Sequence, residues 1–127
     1  MSNACIVISM NETSGDLIID GDPNWDDQEL RIDGKIIHSA YTSPKGESVA
    51  ASVRGWANDE GNNMMMGIWY SGSNNNNQNQ NTFQFTIGQN HDGLMDVTEN
   101  FSLPPISIKY TVVAQTKWIV VLKFEDA

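Results

Sequence analysis

Apolar and polar residues alternate in short runs along most of this chain, as in Ile106-Ser107-Ile108-Lys109-Tyr110-Thr111-Val112 and Phe83-Gln84-Phe85-Thr86-Ile87. A period of two puts successive side chains on opposite faces of an extended strand, one buried and one wet. Such runs predict strands over residues 4–10, 16–20, 29–33, 36–42, 47–54, 64–71, 82–88, 94–98, 105–113 and 117–125. The three-to-four spacing of an amphipathic helix is nearly absent. Trp118-Ile119-Val120-Val121-Leu122 is apolar throughout, which predicts a central strand. Thr13-Ser14-Gly15-Asp16, Asp33-Gly34, Ser43-Pro44-Lys45-Gly46 and Asp92-Gly93 supply the glycine, proline or Asx residues that reverse a chain. Pro104-Pro105 marks a loop or an edge, because neither residue can donate to a ladder. Strands this short bury one face each in a two-layer antiparallel β-sandwich of about eight to ten strands.

At 127 residues the chain makes a single domain, 1–127, large enough for one continuous core without disulfides. The lone cysteine, Cys5, lies in the apolar run Ala4-Cys5-Ile6-Val7-Ile8 and reads as a small buried hydrophobe. Residues 71–81 are entirely Asn, Gln, Ser and Gly, too little apolar surface to order the run well, and read as an expanded hairpin loop.

Sixteen acids against seven bases give a net charge of −9, and residues 1–33 hold eight of those acids with a single base, Arg31. This argues against nucleic acid, where Lys and Arg supply the affinity, and against purely electrostatic adhesion to anionic lipid. No basic N-terminal segment leads into a hydrophobic leader, and no apolar run approaches bilayer-spanning length. The expectation is a soluble chain without a signal peptide, cytoplasmic or released by a non-classical route. Asn11-Glu12-Thr13 and Asn100-Phe101-Ser102 match the glycosylation sequon but carry little weight without a secretory signal.

Catalytic signals are sparse. Asp20-Gly21-Asp22-Pro23-Asn24-Trp25-Asp26-Asp27 begins like a calcium loop, but Trp25 stands where the sharp turn needs glycine and Arg31 where a bidentate glutamate belongs. One cysteine with His38 and His91 makes no recognisable zinc set, and His91-Asp92 lacks a marked nucleophile. The carboxylates lie mostly in hydrophilic loops, away from the apolar settings that tune glycosidase acids. No catalytic residue, metal or cofactor is expected.

Aromatic residues carry more. Trp118 belongs to a core strand, whereas Trp25 and Trp56 sit among Asp, Asn and Gly, where an indole has little neighbouring chain to cover it. An exposed indole suits a lipid headgroup interface or a sugar ring, although a tryptophan folded back as a lid on the core explains the same pattern. Val53-Arg54-Gly55-Trp56-Ala57-Asn58-Asp59-Glu60-Gly61, followed by Met64-Met65-Met66-Gly67-Ile68-Trp69-Tyr70, reads as a basic strand end, an acidic turn and an aromatic strand. Met64-Met65-Met66 adds flexible apolar surface, of which one or two side chains face outward.

The chain resembles the aegerolysin family of small acidic β-sandwich proteins. Ile6 to Ile19, with its Asn11-Glu12-Thr13 turn, is similar to the family's first hairpin. Arg54, Ala57, Glu60, Gly61 and Gly67 look like its arginine- and glycine-bearing turn, although here Gly55 follows the arginine instead of preceding it. The resemblance implies binding to membrane lipids, often sphingolipids, without enzymatic activity, and in some members recruitment of a second, larger pore-forming protein. On that reading Trp25, Trp56, Trp69 and Tyr70 contact the interface, Arg54 bonds a phosphate oxygen, and Asp59 or Glu60 engages a headgroup amine or hydroxyl. The rivals are a sugar-binding lectin using the same aromatics and an adhesion module using the acidic face with calcium.

Overall fold

The computed structural model describes residues 6–21, 30–37, 40–53, 66–72, 83–102 and 108–127. These form strands β1 (Ile6–Glu12), β2 (Asp16–Gly21), β3 (Leu30–Ile32), β4 (Lys35–Ile37), β5 (Tyr41–Ser43), β6 (Ser48–Val53), β7 (Met66–Gly72), β8 (Phe83–Gln89), β9 (Met95–Ser102), β10 (Ile108–Gln115) and β11 (Ile119–Asp126). They build a two-layer sandwich: a six-stranded sheet ordered β10-β11-β1-β6-β3-β4 and a five-stranded sheet ordered β5-β2-β7-β8-β9. No helix among the described residues is long and apolar enough to cross a membrane. Cys5, His38, Asp22 to Asp27, most of the Asn-rich run and Pro104-Pro105 lie outside the described residues.

Alternation becomes a core as the strand pattern requires. Val7, Leu17, Ile19, Ile68, Ile87, Val120 and Leu122 all point inward and are fully buried. At the centre, Phe85 of β8 meets Tyr110 of β10 edge-on, with ring centroids 5.4 Å apart, and Phe124 of β11 at 5.1 Å. The three rings join the two layers with the edge and tilted geometry that aromatic quadrupoles favour.

Two features depart from the expected pattern. One pairing is parallel: β1 runs alongside β11, with Ile6 opposite Ile119 and Glu12 opposite Glu125, while the other pairings are antiparallel. The strand expected over 36–42 is instead two, with β4 ending at Ile37 in one sheet and β5 starting at Tyr41 in the other. The chain changes layers there, so one apolar run serves two sheets. The Asp33-Gly34 turn reverses β3 into β4 as read, with φ of 52° and 84°, values that both residues of a tight hairpin turn adopt.

A buried polar node ties the two layers together at the Glu12 end of β1. Asn11 is fully buried, and its Nδ2 donates to the carbonyls of Gly15 at 2.9 Å and Ser43 at 2.8 Å. Its Oδ1 accepts from the Thr13 amide at 3.0 Å and the Thr13 hydroxyl at 2.6 Å. An amide saturated in this way holds the β1–β2 turn against β5 and satisfies groups that would be costly to bury unpaired. Both amide hydrogens are used inside the fold, so the Asn11-Glu12-Thr13 sequon has a structural reason of its own.

Candidate functional site

Strand β7 carries the two described members of the expected contact set, and alternation separates them. Tyr70 points inward, is 5% exposed and belongs to the core, so it does not serve as a surface contact. The correction follows from its parity with Met66 and Ile68, which face the same interior. Trp69 points outward from the five-stranded sheet and is half-buried. Its indole lies across Gly67, two positions back on the same face: a Cβ at Gly67 would stand 2.7 Å from Cζ3 and 2.8 Å from Cζ2 of that ring. The glycine is thus required by the close approach of the ring to the backbone. The ring lies flat over Gly67, whose register partners are Asp20 of β2 and Thr86 of β8.

Trp25, Arg54, Trp56, Asp59 and Glu60 lie outside the described residues, as do Met64 and Met65. The strand ends that bracket their segments are nevertheless together. Gly21 pairs with Met66 and Leu30 pairs with Val53, so segments 22–29 and 54–65 both leave from the end of the sandwich at which β1 begins. The turns that carry His91 and Trp118 belong to this same end, because the Met95 amide donates to the Thr116 carbonyl at 2.8 Å and Ile6 donates to Trp118 at 2.8 Å. The Asn-rich run leaves from the opposite end, between Gly72 and Phe83.

The largest feature that sequence reasoning missed is on the outer face of the six-stranded sheet. Ile6, Ile8 and Met10 of β1 point outward beside Ile119 and Val121 of β11, with Ala50 of β6 opposite Ile8. Val113 stands out at a bulge in β10 and is 54% exposed; Ile36 is 43% exposed and Ile119 36%. The stripe is apolar toward the Ile6 end and turns polar toward Glu12, Lys123 and Glu125. The signal was present in the continuous apolar runs of β1 and β11. Among the described residues two sheets pack with one interior face each, so a strand apolar on both faces presents one outward.

Tyr41 donates from its hydroxyl to Glu47 Oε1 at 2.6 Å, and this bond, followed by burial and the negative charge of Glu47, pushes its pKa up to about 12. His91 and Asp92 lie 3.5 Å apart on an exposed turn. That turn is organised by Asn90, whose Oδ1 accepts from the Asp92 amide at 2.9 Å and the Leu94 amide at 3.0 Å. Among the described residues no three His, Cys, Asp or Glu side chains are grouped to hold a metal ion.

Charge divides between the layers. The strands of the five-stranded sheet contain Asp16, Asp20, Asp96 and Glu99 and no Lys or Arg. Those of the six-stranded sheet contain Arg31, Lys35, Lys109 and Lys123 against Glu12, Glu125 and Asp126. Comparison with protein-family models, curated proteins and solved structures finds no match to this chain.

Proposed function

We propose that this domain is a non-enzymatic binding protein that attaches to membrane lipid. The observation that supports this reading is the outward apolar stripe of Ile6, Ile8, Val121 and Ile119, which runs to the end from which segments 22–29 and 54–65 leave. Apolar surface left in water costs about 25 cal/mol per Å², and an interface of acyl chains and headgroups removes that cost. Trp25, Trp56 and Arg54, carried on those segments, supply the residue types suited to headgroup depth. The test is co-sedimentation with liposomes of phosphatidylcholine, with and without sphingomyelin and with and without anionic lipid. Binding to at least one composition is expected, and a protein that stays in the supernatant with all of them is not a lipid binder. The sphingolipid preference and a larger pore-forming partner rest on the aegerolysin likeness alone. Vesicle leakage caused by the isolated domain would argue against a need for that partner.

A second reading, a sugar-binding lectin, is favoured by one observation: the Trp69 ring lying flat on the outer face of the five-stranded sheet over Gly67. A flat indole offers its face to a sugar ring. Glycan-array binding that is lost in Trp69→Ala, with no liposome binding, would favour it.

A further inference from the structure

We propose that the outer face of the six-stranded sheet docks on an anionic lipid surface, a reading that rests on the lipid-binding function above and names its headgroup class. Seven bases serve the whole chain, and five of them, Arg31, Lys35, Lys109, Lys117 and Lys123, belong to this sheet or to its β10–β11 turn. In a molecule of net charge −9 that concentration sets an orientation. The layer that holds these five bases, beside the acids Glu12, Asp33, Glu125 and Asp126, is also the layer with the outward Ile and Val stripe, and the layer behind it has acidic strands without a base.

The positions fit a flat contact. Lys123 and Lys109 point outward on β11 and β10 at the polar end of the stripe, Lys123 between Met10 and Thr111 in the register and Lys109 opposite Glu125. Lys117 lies at the other end, its Nζ 5.1 Å from the centre of the Trp118 ring. Arg31 points outward on β3 between Ser52 and Ile36. Lysine and arginine stems extend along apolar surface while their heads reach phosphate depth, so a frame of cations around aliphatic side chains matches acyl chains below and anionic headgroups around them. Of the acids of this sheet, Glu12 and Glu125 lie at the end farthest from Ile6 and Ile119, with Glu125 3.8 Å from Lys123, whereas Asp33 in the β3–β4 turn lies beside Ala50, its Oδ1 accepting from the Ala50 amide at 3.0 Å. Net negative charge weakens long-range attraction, but charges beyond a Debye length of about 8 Å are screened at physiological salt, which leaves the local layer to decide.

Sedimentation is measured with vesicles of phosphatidylcholine alone, phosphatidylcholine with sphingomyelin, and phosphatidylcholine with about one-third phosphatidylglycerol. The expected result is binding to the anionic vesicles that falls as salt rises from about 0.05 to 0.5 M. Lys109→Gln and Lys117→Gln each weaken it about fivefold, and Val113→Asp abolishes it while thermal melting shows each variant folded. Equal binding to neutral vesicles, without salt dependence, would overturn the anionic assignment and leave the lipid function standing. No binding to any vesicle removes both. Anionic binding untouched by the three variants overturns the assignment of this face. A solution dimer that Val113→Asp converts to monomer would show that a second copy, and not lipid, covers the stripe.

Discussion

Replacing Asn11 with alanine tests the buried node. The side chain supplies four hydrogen bonds: from Nδ2 to Gly15 and Ser43, and to Oδ1 from the amide and hydroxyl of Thr13. Two of the four partners have an alternative. The Thr13 hydroxyl also donates to the Gly15 carbonyl at 3.1 Å and accepts from the Gly15 amide at 3.2 Å. The Ser43 carbonyl and the Thr13 amide are left without the partner that Asn11 provided. Each buried group so orphaned costs about 1–3 kcal/mol, so Asn11→Ala should lose about 2–6 kcal/mol, a large share of the roughly 5–15 kcal/mol that holds a domain together. In urea unfolding, with a slope of about 1.5 kcal/mol/M, the midpoint should fall by about 1–4 M. Asn11→Asp discriminates further, because a carboxylate oxygen would face two carbonyls where an N–H₂ group now donates. Its folded-state pKa must rise, so this variant should regain stability as pH falls through that raised value, where the protonated acid donates again. A midpoint shift under about 0.5 M for Asn11→Ala would refute the account, since it would mean that solvent or backbone replaces those bonds at little cost.

Three further outcomes follow from single contacts. The pKa of Tyr41 is raised from 10.0 to about 12, so its neutral form is the one the fold stabilises. That stability is full below pH 10 and disappears as pH rises to 12, and Tyr41→Phe should cost about 1 kcal/mol near neutrality while flattening this alkaline limb in urea titrations. An unchanged limb would place the loss elsewhere. Gly67→Ala forces the Trp69 ring off the strand, so it should shift indole fluorescence and cost about 1–3 kcal/mol. Adding Trp69→Ala should return most of that loss in a double-mutant cycle, and strict additivity would rule out the clash. The fully buried Ser9 hydroxyl has no partner among the described residues, so Ser9→Ala should be neutral or stabilising by up to about 1 kcal/mol. A loss above that on thermal melting would show that the hydroxyl is bonded.

Several features of this protein can be read directly from its residue order. Alternation in Phe83 to Ile87 and Ile108 to Val112 marks strands and their inward faces, and Asp33-Gly34 marks a hairpin, because these depend on neighbours two to four positions away. The same parity puts Tyr70 on the Met66 and Ile68 side, although residue type alone had suggested a surface role. Other features depend on partners distant in the chain. The parallel pairing of Ile6 with Ile119, the change of layer between Ile37 and Tyr41, and the meeting of Asn11 with Ser43 leave no local periodicity to detect. The outer stripe lies between these cases: residue order dictates that β1 and β11 are apolar on both faces, and only the packing of the two sheets against each other determines which face is turned away from the core. Side-chain direction is a property of the backbone repeat, whereas exposure is a property of what the rest of the chain places opposite it.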